Sequence, residues 1–123
     1  MSTPLISHLV DGTAGDPSGL LTADVRFRSP FADYEGRDTV ARLFQAIPKV
    51  FEAVDVVETL TAADGRQATV VHGQMAGEVA DAVVYERHDP DGRVSDMMIL
   101  VRPLRATKAV IARMGQLLED PGR

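Results

Sequence analysis

The second half of the chain has four long runs rich in apolar residues, most of which alternate with polar residues, and this pattern predicts four β-strands. The predicted strands cover residues 50–62, 68–76, 78–88 and 94–102. Turn sequences separate them: Asp64-Gly65, then Gly77, then Asp89-Pro90-Asp91-Gly92. Consecutive strands joined by such short turns form an antiparallel sheet.

The last of these strands is apolar on both faces, because the run Met97 to Val101 contains no polar residue. A strand of this kind needs cover on each side of its sheet. Helices can cover one side, and a second copy of the same sheet is the simplest cover for the other. The pattern therefore predicts a symmetric homodimer that forms through the outer face of the sheet.

The first half of the chain has mainly helical spacing, interrupted by one strand at Val25–Ser29. One predicted helix covers Pro4–Asp11 with Thr3 as its cap, and another covers Ala106–Leu118 at the other end of the chain. Asp38 is a plausible cap for a middle helix that Pro48 limits in length. The apolar stripe of that middle helix is Val40, Leu43, Phe44 and Ile47. This order predicts a single α+β domain over residues 1–123.

Composition narrows the range of partners. The 123 residues carry a net charge of −5 with no block of Lys or Arg, which argues against a nucleic-acid surface. No run of apolar residues is long enough to cross a bilayer and no signal peptide is evident, so we expect a cytoplasmic protein without a membrane partner. The absence of cysteine and the spacing of the three histidines predict no metal site.

Three groups of residues resemble the nuclear transport factor 2-like superfamily, and especially its bacterial SnoaL-like members. They are the run Leu20 to Pro30, the helix start Gly36-Arg37-Asp38, and the segments Asp91–Val94 and Val101–Leu104. The resemblance implies a cone: a strongly curved, mostly antiparallel sheet wrapped around the N-terminal helices, with a C-terminal helix. It also implies an internal ligand cavity and dimerisation through the sheet.

The superfamily includes ketosteroid isomerases, polyketide cyclases, epoxide hydrolases and proteins without catalysis. The isomerases place a general-base aspartate directly before the proline after the first strand, where this chain has Ser29, which cannot act as that base. Their oxyanion-hole aspartate corresponds to Asp81. The Asp-Arg-Asp set of the epoxide hydrolases has no counterpart in the last strands.

The resemblance implies a catalytic role for Asp81 on the wall of the cavity. Tyr85 shares a strand face with Asp81 and could present its hydroxyl to the same cavity, so the two form the predicted catalytic pair. Among apolar neighbours the neutral form of Asp81 would be favoured, and a neutral carboxylic acid can donate a hydrogen bond to a developing oxyanion. The alternative is an aspartate that points to solvent and a tyrosine that belongs to the ordinary core. His72 has the opposite assignment, on the outer surface of the sheet.

The predicted ligand-binding residues are apolar or aromatic, with two hydroxyl groups among them. They are Phe27, Ser29, Tyr34, Phe44, Met75, Met97, Ile99 and Val101. Any one of the apolar members could equally be ordinary core. On the last strand, Met98 and Leu100 are expected to face the partner subunit.

Two functions fit this sequence almost equally well. The first is an isomerase, cyclase or hydrolase that acts without a cofactor on an apolar or polyketide-like small molecule. The alternative is a non-catalytic ligand-binding or accessory dimeric protein, and a pure protein adaptor ranks behind both. The sequence offers no candidate for the general base that proton transfer needs, so the enzyme is not favoured over the non-catalytic binding protein.

Overall fold

The computed structural model describes residues 3–12 and 15–119. Its helices are α1 (Pro4–Asp11), α2 (Arg37–Val50) and α3 (Leu104–Glu119), with a 3₁₀ turn at Pro17–Leu20. Its strands are β1 (Leu21–Arg28), β2 (Asp33–Glu35), β3 (Phe51–Thr61), β4 (Gln67–Met75), β5 (Glu78–His88) and β6 (Val94–Arg102). They form one sheet in the order β2-β1-β6-β5-β4-β3, in which β1 and β6 are parallel and all other neighbours are antiparallel.

Local signals explain the ends of the first two helices. The Thr3 hydroxyl accepts a hydrogen bond from the Ile6 amide, and Gly12 ends α1 in the left-handed conformation at φ 67°, so the predicted helix is confirmed. Helix α2 begins after Gly36 with no side-chain cap, so the predicted cap at Asp38 was wrong. Asp38 lies in the first turn, where a negative charge is favourable next to the helix dipole.

The sheet has one buried face and one partly exposed face, and β5 defines them. Its residues at even positions, from Ala80 to Glu86, are buried, whereas those at odd positions keep solvent contact. We call the buried side the inner face and the other side the outer face. The apolar stripe predicted for α2 is buried in the same core, as the sequence pattern indicated. Because residues directly opposite each other on neighbouring strands point to the same side, strand register extends this assignment across the sheet.

The turn between β4 and β5 contains two residues, Ala76 and Gly77, and not Gly77 alone. Their φ angles are 51° and 83°, as the tightest hairpin turns require, and Met75 pairs with Glu78 across the turn. This register places His72 directly opposite Asp81. The expectation that Asp81 faces inward while His72 faces outward was therefore wrong, because the two residues share the outer face.

Strand β3 departs from simple alternation. Register shifts between Phe51 and Ala53 and between Val56 and Glu58 each add a residue to this strand. As a result, Leu60 pairs with Ala68 on the outer face, not on the same face as Val54 as its parity suggested.

Two other features were missed in the sequence. A three-residue strand, β2, contains Tyr34 and was not predicted. Strand β1 begins four residues before the predicted Val25, and it pairs with β6 in parallel. In the described part of the chain, no helix is long and apolar enough to cross a membrane.

Candidate functional site: an apolar pocket beneath the C-terminal helix

A pocket of about 250 Å³ lies between the sheet, α2 and the second half of α3. The strand and loop residues that line it are Phe27, Ser29, Pro30, Phe31, Tyr34, Phe51, Ile99 and Val101. The helix residues that line it are Leu43, Ile47, Val50, Val110, Ile111, Met114, Gly115 and Leu118. The volume lies just below the range of about 300–1,000 Å³ that is usual for small-molecule sites.

Aromatic rings form one wall of the pocket. Phe27 is buried, and its ring centre lies 6.3 Å from that of Tyr34 in a stacked arrangement. On its other side, Phe27 meets Phe44 edge to face at 5.1 Å. Such contacts hold rings in fixed orientations, so this wall is preformed.

Ser29 follows the last residue of β1 and its hydroxyl is fully engaged in the next loop. The hydroxyl donates to the carbonyl oxygen of Ala32 at 2.7 Å and accepts from the amides of Phe31 and Ala32 at 3.1 Å and 2.9 Å. A serine in this position shapes the loop that carries Phe31 and cannot remove a proton from a ligand. Tyr34 carries the other side-chain oxygen among the described lining residues.

Five of the eight predicted ligand-binding residues lie around this pocket: Phe27, Ser29, Tyr34, Ile99 and Val101. The other three, Phe44, Met75 and Met97, are fully buried and contribute to the core, not to the pocket wall. Strand and helix periodicity predicted correctly that these three side chains point into the core. Whether an inward side chain reaches the pocket depends on tertiary packing, which periodicity does not show. Ligand binding by the five that line the pocket stays a prediction.

The predicted catalytic pair is not at the pocket. Asp81 and Tyr85 lie on the outer face, paired with Arg102 and Met98 of β6. The Asp81 carboxylate accepts hydrogen bonds from His72 and Arg102, each at 2.7 Å, and its side chain is 35% exposed. A catalytic role for either residue inside the cavity is incompatible with this placement.

The charge state expected for Asp81 was also wrong. The hydrogen bond from His72 is the main cause that holds the pKa of Asp81 below its ordinary value. Desolvation acts in the opposite direction, and the hydrogen bond from Arg102 lowers the pKa further. Asp81 is thus a paired carboxylate at neutral pH and not a neutral hydrogen-bond donor.

Glu86 is the interior carboxylate that sequence reasoning missed. Its side chain is fully buried on the inner face of β5, where it accepts from the Thr3 hydroxyl at 2.9 Å and contacts the His88 ring nitrogen at 3.0 Å. Burial raises the pKa of Glu86, and the two hydrogen bonds lower it by less. Glu86 is not part of the pocket wall. Its even position on β5 would have revealed it once the turn was counted as two residues.

The residues that the structure describes do not form a metal-binding cluster. In the described ranges, no three His, Cys, Asp or Glu residues come together in a way that could hold a metal ion. The pocket wall presents hydrocarbon, aromatic rings and two hydroxyl groups. Such a surface suits an uncharged, largely apolar molecule.

An open six-stranded sheet wrapped around helices, with an apolar pocket beneath a C-terminal helix, defines a cone-shaped α+β protein. No family model and no curated protein sequence matches this chain. Several solved structures, in contrast, are similar to this chain. A steroid delta-isomerase from Pseudomonas aeruginosa is 26% identical, with 98% of each chain covered and a TM-score of 0.81.

Two further solved structures are similar. An uncharacterised protein with a cystatin-like fold from Silicibacter pomeroyi is 22% identical, covers 96% of this chain and 88% of its own, and has a TM-score of 0.82. A SnoaL-like protein of unknown function from Burkholderia thailandensis is 15% identical, with 80% and 89% covered and a TM-score of 0.65. The chain shares its fold with these proteins, and this likeness supports the resemblance to the nuclear transport factor 2-like superfamily and its SnoaL-like members that the sequence indicated.

Proposed function

We propose that this protein binds an uncharged, mostly apolar small molecule in the pocket beneath α3 and does not convert it by proton transfer. The observation that carries the proposal is the composition of the pocket wall. Among the described lining residues, none has a carboxylate, an imidazole or an amine. A reaction that moves protons needs a group whose pKa lies near the working pH, and this wall does not supply one.

The position of the usual base supports the same conclusion. Ser29 stands there, and its hydroxyl is held by three hydrogen bonds within its own loop. The carboxylates that were candidates by sequence or by burial, Asp81 and Glu86, both lie away from the pocket wall. The similarity to a steroid delta-isomerase therefore supports a related class of ligand, and it does not extend to that enzyme's chemistry.

A substitution that fills the pocket tests this proposal directly. Met114→Trp puts an indole ring at a position that lines the pocket. We expect affinity for a fluorescent probe, either the anionic 1-anilinonaphthalene-8-sulfonate or the uncharged N-phenyl-1-naphthylamine, to fall about tenfold or more. The uncharged probe, N-phenyl-1-naphthylamine, should bind the wild-type protein more tightly than the sulfonate. Fluorescence titration measures both.

Ala112→Trp is the matched control, because Ala112 is on the same helix but exposed. It should leave probe affinity unchanged. Equal losses in both tryptophan variants, or equal binding in Met114→Trp and the wild type, would contradict the assignment of the pocket as the binding site.

The absence of catalysis is tested separately with a ketosteroid isomerisation assay. We expect the wild-type protein to give no rate above the uncatalysed reaction. If turnover is measured, Asp81→Asn should leave it unchanged, since Asp81 is on the outer face. Turnover that disappears in a pocket variant such as Met114→Trp would replace the binding function with an enzymatic one.

A further inference from the structure

Gly115 is the one glycine among the described residues that line the apolar pocket, and it lies inside helix α3. Glycine is the poorest helix former after proline, because fixing it in a helix removes more conformational freedom than fixing any other residue. A glycine at position 115 therefore makes α3 less stable than almost any other residue would. The surroundings of Gly115 show what the fold gains from it.

Two common reasons for a glycine do not apply at this position. A Cβ built on Gly115 would meet no atom of a neighbouring element within 4 Å in the described part of the chain, so nothing packs closely against its Cα. Its φ is not among the positive values that other glycines of the chain adopt, so the backbone conformation is one that any residue can take. What the glycine leaves is open space beside the helix.

Helix spacing shows that this open space belongs to the pocket. Ile111 lies four residues before Gly115 and Leu118 lies three residues after it, so the three positions share one face of α3. Both neighbours line the pocket, and so does Met114. A side chain at position 115 would therefore project between those of Ile111 and Leu118 into the pocket. The glycine enlarges the pocket within its α3 wall.

Hydrogen bonds near both ends of α3 hold this wall in place. Near its start, the Thr107 hydroxyl donates to the carbonyl oxygen of Val101 at 2.7 Å. Near its end, the Arg42 guanidinium of α2 donates to the carbonyl oxygen of Leu118 at 2.9 Å. Because the helix is fixed to the sheet and to α2, a side chain added at position 115 takes up space in the pocket and does not simply move the wall outward.

The volume of the pocket suits a ligand with two rings. An apolar cavity of about 150 Å³ holds one benzene ring. This pocket is larger, at about 250 Å³, and its lining side chains are apolar or aromatic except for two that carry hydroxyl groups. A single ring would leave part of the wall without contacts, and the missing dispersion contacts would weaken its binding.

We propose that Gly115 sets the size of the ligand, and that this ligand is an uncharged molecule with two fused rings. The proposal rests on the binding function proposed above and adds the size limit and the residue that imposes it. The second ring occupies the space that the missing side chain leaves, and a less stable α3 is the consequence. Position 115 is thus a specificity-determining position.

Two ketones that differ in ring number provide the test. 1-Tetralone has two fused rings and cyclohexanone has one, and each has a single carbonyl group. Affinity is measured from the rise of the midpoint of thermal unfolding (Tm) with ligand concentration. The wild-type protein should bind 1-tetralone about tenfold or more tightly than cyclohexanone. Gly115→Leu should weaken binding of 1-tetralone about tenfold or more and change that of cyclohexanone less than about twofold.

Ala112→Leu is the matched control, because it adds the same side chain at an exposed position of the same helix. It should leave binding of both ketones unchanged. An equal loss for both ketones in Gly115→Leu, or unchanged binding of 1-tetralone, would overturn the size limit and leave the binding function intact. If the wild-type protein binds neither the ketones nor the fluorescent probes, the binding function itself is wrong, and the size limit falls with it.

A second experiment separates the effect on the helix from the effect on the ligand. Gly115→Ala introduces a better helix former, so the Tm of the ligand-free protein should rise by about 3–5 °C. Its affinity for 1-tetralone should nevertheless fall about fourfold, because the methyl group takes space from the second ring. Ala112→Gly should lower the Tm by a similar amount without changing affinity. A lower Tm in Gly115→Ala would show that the fold, and not the ligand, requires the glycine.

Discussion

At the scale of single residues, Glu86 is the group whose chemistry differs most from its surroundings. Its carboxylate is fully buried, and burial raises its pKa above the ordinary value of 4.5, despite the bonds from Thr3 and His88. The folded protein therefore holds the proton of Glu86 more tightly than the unfolded chain does. A carboxyl with a raised pKa stabilises the fold most at low pH, and this contribution disappears as pH rises through the folded pKa.

Glu86→Gln tests this sign. Glutamine has the same shape and cannot ionise, so the variant lacks the loss of stability that the wild type undergoes above about pH 4.5. The free energy of unfolding of the wild type relative to the variant should fall with rising pH, by about 1.4 kcal/mol for each unit by which the folded pKa exceeds the unfolded one. Urea unfolding over a pH series measures it. Glu35→Gln, at an exposed position, should follow the wild type, and a Glu86→Gln curve parallel to the wild type would refute the burial argument.

A second prediction at this scale concerns ligand binding by Tyr34. Since the Ser29 hydroxyl is engaged in its loop, Tyr34 carries the remaining side-chain hydroxyl among the described lining residues, and we expect it to meet a polar atom of a ligand. Tyr34→Phe should weaken binding of an apolar ketone by about two- to tenfold, the usual range for one neutral hydrogen bond.

A hydrocarbon of the same shape provides the control for Tyr34. Binding of 1-tetralone and of tetralin, measured by competition with a fluorescent probe, should differ in their response, because only the ketone can accept the hydrogen bond. An equal loss for both ligands would mean that the substitution altered the shape of the pocket.

The face of the sheet to which a side chain points was predictable where the alternation along the strand is clear and the preceding turn is easily recognised. On β6, alternate residues point inward and outward as expected. They were not predictable on β5, because one turn residue decides its register with β4. Counting Ala76 with Gly77 in the turn makes His72 and Asp81 neighbours on one face. A short turn can therefore reverse the assignment of every side chain on a strand.

At the scale of elements, the bend between β3 and β4 depends on Gly73. This residue has a φ of 154°, and a Cβ built on it would overlap the carbonyl oxygen of Ala53 and come within 2.7 Å of the Val54 Cα. Backbone atoms cannot yield as a flexible side chain can. The close approach lies next to the register shift that precedes Ala53, so the glycine and the bulge together let the edge strand cross closely over its neighbour.

Gly73→Ala should lower the free energy of unfolding by about 2 kcal/mol or more, because a single methyl group forces the backbones of two strands apart. Gly19→Ala is the matched control, since a Cβ there meets nothing within 4 Å and the backbone needs no positive φ. Thermal and urea unfolding of both variants give the comparison. Similar stability of the two would mean that β3 can move away from β4 without cost.

The elements themselves were well predicted where the signal is local. α1, β5 and β6 have the predicted bounds, because caps, turn sequences and long alternating runs mark their ends. β2 and the early start of β1 were missed, since three residues carry too little pattern and parallel pairing with β6 depends on distant parts of the chain. The bulges in β3 have no clear mark in its sequence.

At the scale of the whole molecule, the cone was accessible from the order of elements and from the resemblance of particular motifs, and the observed fold confirms it. The location of the pocket was predictable from the sequence only in part. Its floor comes from Phe27, Ile99 and Val101, which strand parity pointed inward, whereas its roof depends on how α3 folds back over the sheet. That packing is a long-range property that no single segment specifies.

The pocket and the outer face, through which the sequence predicts a homodimer, lie on opposite sides of the sheet, and this separation leads to the last prediction. Val101 lines the pocket while its neighbour Leu100 points outward, so one strand serves both surfaces with alternate side chains. Variants that share no neighbours have additive effects to within about 0.5 kcal/mol. Leu100→Lys, which puts a charge on the outer face, should therefore weaken the dimer and leave probe affinity unchanged, and Met114→Trp should leave the dimer mass in sedimentation equilibrium unchanged.

The double variant, Leu100→Lys with Met114→Trp, completes the cycle. Its loss of probe affinity should equal that of Met114→Trp alone, and its dimer dissociation constant should equal that of Leu100→Lys alone. A larger loss of either property in the double variant would show that ligand binding and self-association are coupled through β6. In that case the rigid-sheet argument fails, because the strand would have to shift between two positions when either surface is occupied.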